Sequence, residues 1–256
     1  AYKSACMRAY NRWLETFCGG APNRLFGLAQ TAAESVDETI KDFRKAKEMG
    51  MVGMMMPGRP QHKDYDHADY DALWECATDL DMPVCFHILT SDDNSVKEAL
   101  APKRGALANG FMNIMRSVQD VLGVFLFGGN FDRHPNLKMV IAEADAGWIP
   151  HYAYRADHAI KRLGAIAEST LKKMPSEYIT KNVSFTFQDD ATAYLNQNIV
   201  DAGCLVWAND YPHTDATWPN SQAILTEQMA HLSEAQKNAI RHDNVKKLFN
   251  LPIQVQ

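Results

Sequence analysis

Leu137 to Glu143 reads LKMVIAE, an apolar run that closes on a carboxylate, and the residues from Trp148 to Leu163 continue with helical spacing. Two other stretches share that shape. Pro83 to Ile88 (PVCFHI) carries His87 near its end, and Cys204 to Ala208 (CLVWA) leads through Asn209 to Asp210. Strands that are apolar throughout, without in-and-out alternation, are buried on both faces and belong to parallel sheets covered by helices.

Working outward from these three, the pattern repeats. Cys6, Ala9, Tyr10, Trp13, Leu14 and Phe17 recur at three-and-four spacing on a helix that ends at Gly19-Gly20. Arg24 to Gln30 (RLFGLAQ) is a strand, and Ser35-Val-Asp-Glu38 is a capping box opening a helix with Val36, Ile40, Phe43 and Ala46 on one face. Met51 to Met56 is a strand, Pro57 to His67 a polar loop, and Tyr70 to Leu80 a helix. Ser95 to Phe127 is mostly helical, and Val183 to Phe187 is a further strand.

Strands alternating with helices predict an α/β fold, either a (β/α)8 TIM barrel or a doubly wound sheet. No Gly-x-Gly-x-x-Gly or Gly-x-x-x-x-Gly-Lys loop follows any strand, so the signatures of nucleotide-binding doubly wound folds are missing and the barrel is favoured. With 256 residues and no Pro/Gly/Ser-rich linker, residues 1–256 are expected to form one barrel domain.

Composition narrows the function. The net charge of −5 comes with scattered basic residues, which excludes the concentrated positive field that nucleic acid requires. The longest strongly apolar stretch, Val121 to Phe127, is far shorter than the roughly 20 residues of a membrane span, and the first residues lack a signal-peptide core. No membrane partner and a cytoplasmic location are therefore expected. Cys6, Cys18, Cys76, Cys85 and Cys204 are odd in number and never spaced Cys-x-x-Cys, which fits buried thiols in a reducing compartment. Five of the twelve methionines fall in Met49 to Met56, where thioethers suit irregular packing gaps better than a soft-metal site.

In an α/β barrel the chemistry sits at the carboxyl ends of the strands. His87, Glu143 and Asp210 end or closely follow three separate apolar strands, so they converge on one mouth. Each alone could be a core histidine, a buried ion-pair partner or a turn cap. Together they form an imidazole and carboxylate set suited to Zn²⁺ or a similar divalent ion. His213, three residues past Asp210, is either a substrate contact or a loop histidine. His134 precedes its strand and is expected to be structural; His151 and His158 share an outer helix face; His62 and His67 lie in a polar loop on the catalytic side.

MPVCFHI from Met82, FDRHPNLKMVIAEADAGWIPHYAYRAD from Phe131, PSEYITKNVSFTF from Pro175, LVWANDYPHTDATWPNS from Leu205 and the closing IRHDNVKKLFNL are together similar to the amidohydrolase-related family. That family includes aminocarboxymuconate-semialdehyde decarboxylase and related non-oxidative decarboxylases. The resemblance implies a (β/α)8 barrel in which RLFGLAQ is the third strand and CLVWA the eighth. It implies a bound divalent metal, zinc first with manganese or iron as alternatives, and a small carboxylated or amide- or ester-bearing substrate. It makes His87 the fifth-strand metal ligand and Asp210 the eighth-strand aspartate that binds metal or handles a proton. It also implies a homo-oligomer.

Two departures stand out. Glu143 occupies the place where decarboxylases of the family often have a histidine, and no His-x-His occurs among the nine histidines. The family's first strand carries that pair or a related acidic-plus-histidine motif, so two strands and the remaining ligands, within roughly 80–110 further residues, are expected before Ala1. The leading expectation is a metal-dependent hydrolase or carboxy-lyase with Asp210, Glu143 and His213 in catalysis and His87 and Asp210 on the metal. The alternatives are a metal-free, lactonase-like hydrolase and a non-catalytic ligand-binding barrel.

Overall fold

The structure, a computed structural model, describes residues 2–90, 105, 109, 114–195 and 201–253. It is α/β, with six parallel strands that follow one another in the sheet in chain order. The chain divides into two compact units, residues 1–139 and 140–256. Among the described residues no helix is long and apolar enough to cross a membrane.

The first unit opens with α1 (Tyr2–Gly19), which ends at the expected glycine pair. β1 (Leu28–Gln30) follows, shorter than RLFGLAQ, because only its last three residues pair with β2 (Gly53–Met56), in the register Leu28 to Gly53 and Gln30 to Met55. On the other side of β1 the buried Asn11 of α1 takes up the backbone of Gln30. Its Nδ2 donates to Gln30 O and its Oδ1 accepts from Gln30 N, both at 2.8 Å, so a side chain supplies the two bonds a neighbouring strand would make. β3 (Val84–His87) pairs with β2 from Met54–Val84 to Met56–Phe86.

α2 (Val36–Glu48) begins at Ser35, whose hydroxyl accepts from Glu38 N at 3.2 Å. The reciprocal half of the expected capping box is not what holds Glu38: its carboxylate is bonded instead to Arg8 and Lys41. Phe43 and Ala46 of the expected apolar face are buried. The helix read at Tyr70–Leu80 resolves into a 3-10 turn (Ala68–Tyr70) and α3 (Asp71–Asp79). Of the helical stretch read from Ser95, much lies outside the described residues; its end is α4 (Arg116–Phe127), followed by the single turn α5 (Asn130–Arg133).

The core of this unit is aromatic. Tyr65 touches Tyr70, Trp74, Phe86 and Phe125 with ring centroids 5.2–6.0 Å apart. Its hydroxyl donates to Pro57 O at 2.6 Å, so the 57–67 segment is pinned by a fully buried side chain, although His62 and His67 stay exposed. Each such buried ring contributes about 1.5–3 kcal/mol. Met51, Met54 and Met56 are also buried, as packing residues should be. His134 is buried and pairs through Nε2 with Asp71 at 2.9 Å, the structural role expected of it.

β4 (Met139–Ala142) carries the chain into the second unit, which holds α6 (Ile149–Leu163), α7 (Pro175–Asn182), β5 (Val183–Phe187) and β6 (Leu205–Trp207). β5 and β6 pair from Phe185–Leu205 to Phe187–Trp207. Asp157 of α6 accepts from Ser176 N and Ser176 Oγ, tying α6 to the start of α7. His151 on α6 is exposed. The last helices are α8 (Ser221–Gln228), α9 (Glu234–Asn238), a π-helical turn (Ala239–Asp243) and α10 (Asn244–Leu248). Asn244 Nδ2 donates to Ala202 O and Leu205 O at 2.8 and 2.7 Å, closing α10 onto β6.

One expectation needs correcting. All five cysteines are free, but only Cys76, Cys85 and Cys204 are buried; Cys6 is exposed and Cys18 half-buried. Both lie on α1, whose outer face also exposes Trp13 and Phe17.

Candidate metal centre

In the second unit, Glu143 comes directly after β4, and Asp210 stands three residues past β6. Neither side chain is placed by the strand itself. Both residues adopt left-handed backbone, φ 57° and 59°, a region that side-chain-bearing residues seldom occupy and that clusters at functional sites. The turn at Asp210 is closed by His213 N donating to Asp210 O at 2.8 Å and Thr217 N donating to Asn209 O at 3.1 Å.

These turns bring Glu143, Asp210 and His213 together, with one ligand atom of each within 4.8 Å of the others. Asp210 Oδ2 lies 3.0 Å from His213 Nδ1, a distance suited to an ion pair. That oxygen is buried and makes no aligned hydrogen bond. Burial raises the Asp210 pKa above the ordinary carboxylate value, and the charge of Glu143 raises it further, while His213 pulls the other way. Two carboxylates at this range repel unless a proton or a cation lies between them. The neighbouring carboxylates of Asp210 and Glu143 and the His213 imidazole, gathered at one point, therefore fit a divalent cation.

His87 ends β3 in the first unit and is half-buried. Its Nδ1 lies 2.7 Å from Ile88 O. With the proton on Nδ1 donated to that carbonyl, Nε2 is the acceptor nitrogen of the ring.

Reasoning from sequence overlooked Asp145, two residues past Glu143 in the run EADAGW. It too is left-handed (φ 53°), and its pKa is pushed up to about 6, first by burial and then by the charges of Asp190, Asp215 and Asp189. The crowding of acidic residues shortly after β4, β5 and β6 was the available signal.

A family model described as Amidohydrolase matches residues 3–251. Decarboxylase orsB of Emericella nidulans is 29% identical over 126 residues, 47% of this chain and 38% of that protein, so the chain spans well under half of this relative's length. Among solved structures, 5-carboxyvanillate decarboxylase from Sphingomonas paucimobilis superposes with a TM-score of 0.79 at 17% identity, covering 97% of this chain and 73% of that one. The 2,6-dihydroxybenzoate decarboxylase from Rhizobium gives 0.77 at 20% identity over 96% and 77%. A dihydroxybenzoic acid decarboxylase from Polaromonas, solved with manganese and the inhibitor 2-nitroresorcinol, gives 0.78 at 20% identity over 97% and 76%. The six strands thus stand as strands three to eight of a (β/α)8 barrel, and with the family model spanning nearly its whole length the chain belongs to the amidohydrolase family.

Proposed function

We propose that this chain is part of a metal-dependent enzyme that removes carbon dioxide from a small aromatic carboxylate without an oxidant. The observation that carries this reading is the convergence of Glu143, Asp210 and His213, with a buried Asp210 oxygen lacking any aligned hydrogen bond. The relatives' chemistry favours decarboxylation over hydrolysis: the fungal relative is a decarboxylase, and the three solved structures above are decarboxylases of carboxylated aromatics.

His87, at the end of β3, is assigned as a metal ligand in its own unit; Asp210 is assigned to the cation, and Glu143 faces the same cation and orients substrate or water beside it. A divalent cation bound there would offset the two carboxylates and polarise a substrate oxygen. Asp210 holds or relays the proton that replaces the departing carbon dioxide on the ring carbon. His213, with a side chain 66% exposed, contacts the substrate at the rim. The carboxylate-rich donors suit manganese at least as well as zinc, and manganese is the ion in the Polaromonas relative. Residues 1–256 are assigned to one barrel domain of a cytoplasmic homo-oligomer, which five free thiols suit.

Two measurements test the reading: metal content of the purified protein and carbon dioxide release from a panel of hydroxybenzoates, run beside lactone and amide substrates. Stoichiometric metal with carbon dioxide release is expected. Lactone hydrolysis by metal-free protein would establish the metal-independent alternative instead.

A further inference from the structure

Between the end of β4 at Ala142 and the start of α6 at Ile149 runs a six-residue link, and Glu143 is its first residue. Glu143 and Asp145 are both left-handed there, so the link is not held by its own backbone preference. What holds it comes from β5 and the turn beyond. Glu143 N donates to Thr186 Oγ1 at 2.8 Å. Ala146 N and Gly147 N both donate to one oxygen of Asp190, Oδ2, at 2.9 and 2.6 Å.

Asp190 is itself fixed. Its other oxygen accepts from Thr192 N at 3.0 Å and from the Thr192 hydroxyl, so both carboxylate oxygens are occupied by defined donors. The approach is tight enough that a Cβ on Gly147 would sit 1.6 Å from Thr192 Oγ1, which makes glycine necessary at that position. Trp148 Nε1 closes the far end of the link onto Ala144 O at 2.8 Å.

We propose that Asp190, with Thr186, is a positioning clamp on Glu143: by fixing the 143–148 link it sets where the Glu143 carboxylate stands, and hence how tightly the cluster holds a divalent cation. This rests on the cation reading given above. Asp190 acts through the backbone and is not itself a ligand, since its oxygens are taken by the link on one side and by Thr192 on the other. A charged acceptor shared by two backbone N–H groups is stronger than a neutral one, which is the physical reason for an aspartate here.

The test uses the full chain with Mn²⁺ alone as probe, comparing wild type, Asp190→Ala, Asp190→Asn and Glu143→Gln. Calorimetric titration reads Mn²⁺ affinity, and hydrogen exchange followed by mass spectrometry reads protection of residues 143–148 in metal-free protein. Asp190→Ala should weaken Mn²⁺ binding roughly 10- to 100-fold, the range seen when a supporting partner of a metal ligand is lost. The 143–148 segment should exchange faster in the same variant. Asp190→Asn keeps one carbonyl oxygen and should fall between it and wild type, while Glu143→Gln should lose affinity without faster exchange. If Asp190→Ala does not fold, Thr186→Val removes the other acceptor and should shift both readouts the same way. Wild-type affinity in Asp190→Ala alongside a loss in Glu143→Gln would overturn the clamp and leave the cation site standing. Unaltered Mn²⁺ binding in Glu143→Gln would instead remove Glu143 from the site; the exchange data then decide the clamp alone, with unchanged protection in Asp190→Ala overturning it.

Discussion

Asp210 and His213 meet twice across one tight turn: His213 N donates to Asp210 O at 2.8 Å, and His213 Nδ1 stands 3.0 Å from Asp210 Oδ2. The first contact shapes the loop and the second joins the side chains that the proposed reading assigns to chemistry, so substitutions at the two residues should separate. Asp210→Asn preserves size and the backbone turn while removing the negative ligand. Turnover should fall by roughly 10²- to 10⁴-fold, the usual weight of one acid–base group. Thermal stability should stay level or rise slightly, because burial and Glu143 both disfavour the ionised form that is removed. His213→Ala, at a side chain 66% exposed, should cost less turnover and act mainly on KM. Near-normal turnover in Asp210→Asn would remove Asp210 from the mechanism.

Adding a divalent ion should stabilise the protein, because the ion relieves repulsion between Glu143 and Asp210 only in the folded state. At free Mn²⁺ about 100 times the dissociation constant, linkage gives about 2.7 kcal/mol. For a domain of this size that is a rise in Tm of about 5–10 °C. Calorimetric scans with Mn²⁺, with Zn²⁺ and with chelator would show it. Glu143→Gln and Asp210→Asn should abolish most of the rise, and a wild-type Tm indifferent to all three additions would sink the cation assignment.

Those two experiments address residues that could be found in the sequence, and the reason is local. Glu143 and Asp210 follow apolar runs so closely that their place at strand ends can be read from spacing alone, and β5 at Val183–Phe187 has the bounds its composition suggests. β1 is three residues where seven looked strand-like, because strand length is set by the partner: pairing with β2 begins only at Leu28. The left-handed backbone at Glu143, Asp145 and Asp210 could not be read, since none is the glycine that usually announces it. Nor could Asp190, whose acceptor role depends on Ala146 and Gly147, more than forty positions away in the chain. Glu38 shows the converse failure. The capping-box pattern is present, yet Arg8 and Lys41 hold the carboxylate, because a charged donor outbids a backbone amide.

Thiol chemistry should follow burial. The Cys85 and Cys204 thiols are pushed up to about 12 by burial, and burial also raises Cys76 and, on α1, Cys18. Since the thiolate is the nucleophile, these groups are unreactive near pH 8 in the folded state. Ellman's reagent should label the exposed Cys6 promptly and Cys18 slowly, with Cys76, Cys85 and Cys204 appearing only in denaturant. Rapid native labelling of Cys85 on β3 or of Cys204 in the turn before β6, located by peptide mapping, would mean that these segments open far more readily than their packing implies.

Acid should unpick α1 from α2. Arg8 of α1 reaches Glu38 Oε2 through Nη2 and Asp42 Oδ1 through Nε, each at 2.8 Å, and Asp42 is held in turn by the Thr31 hydroxyl at 2.8 Å. Glu38 has its pKa brought down to about 2, first by its bond to Lys41 and then by its bond to Arg8. The Arg8 guanidinium is shifted upward by the same partners, so its charge persists throughout the range considered. The sign follows from proton binding: with a folded pKa below the unfolded value of about 4.3, Glu38 stabilises the protein above pH 4.3, and that contribution drains away as the pH falls from about 4.3 to 2. Because the pair is exposed, the effect is small against the summed response of all carboxylates, so a difference measurement is required. Urea midpoints of wild type and Glu38→Gln should differ at pH 7, with wild type the higher, and should draw together as the pH approaches 2. Arg8→Gln should lower the pH 7 midpoint further, since it strips Asp42 of its partner as well. A gap between wild type and Glu38→Gln that stays constant from pH 7 to pH 2 would show that the Glu38 charge is not what joins these helices.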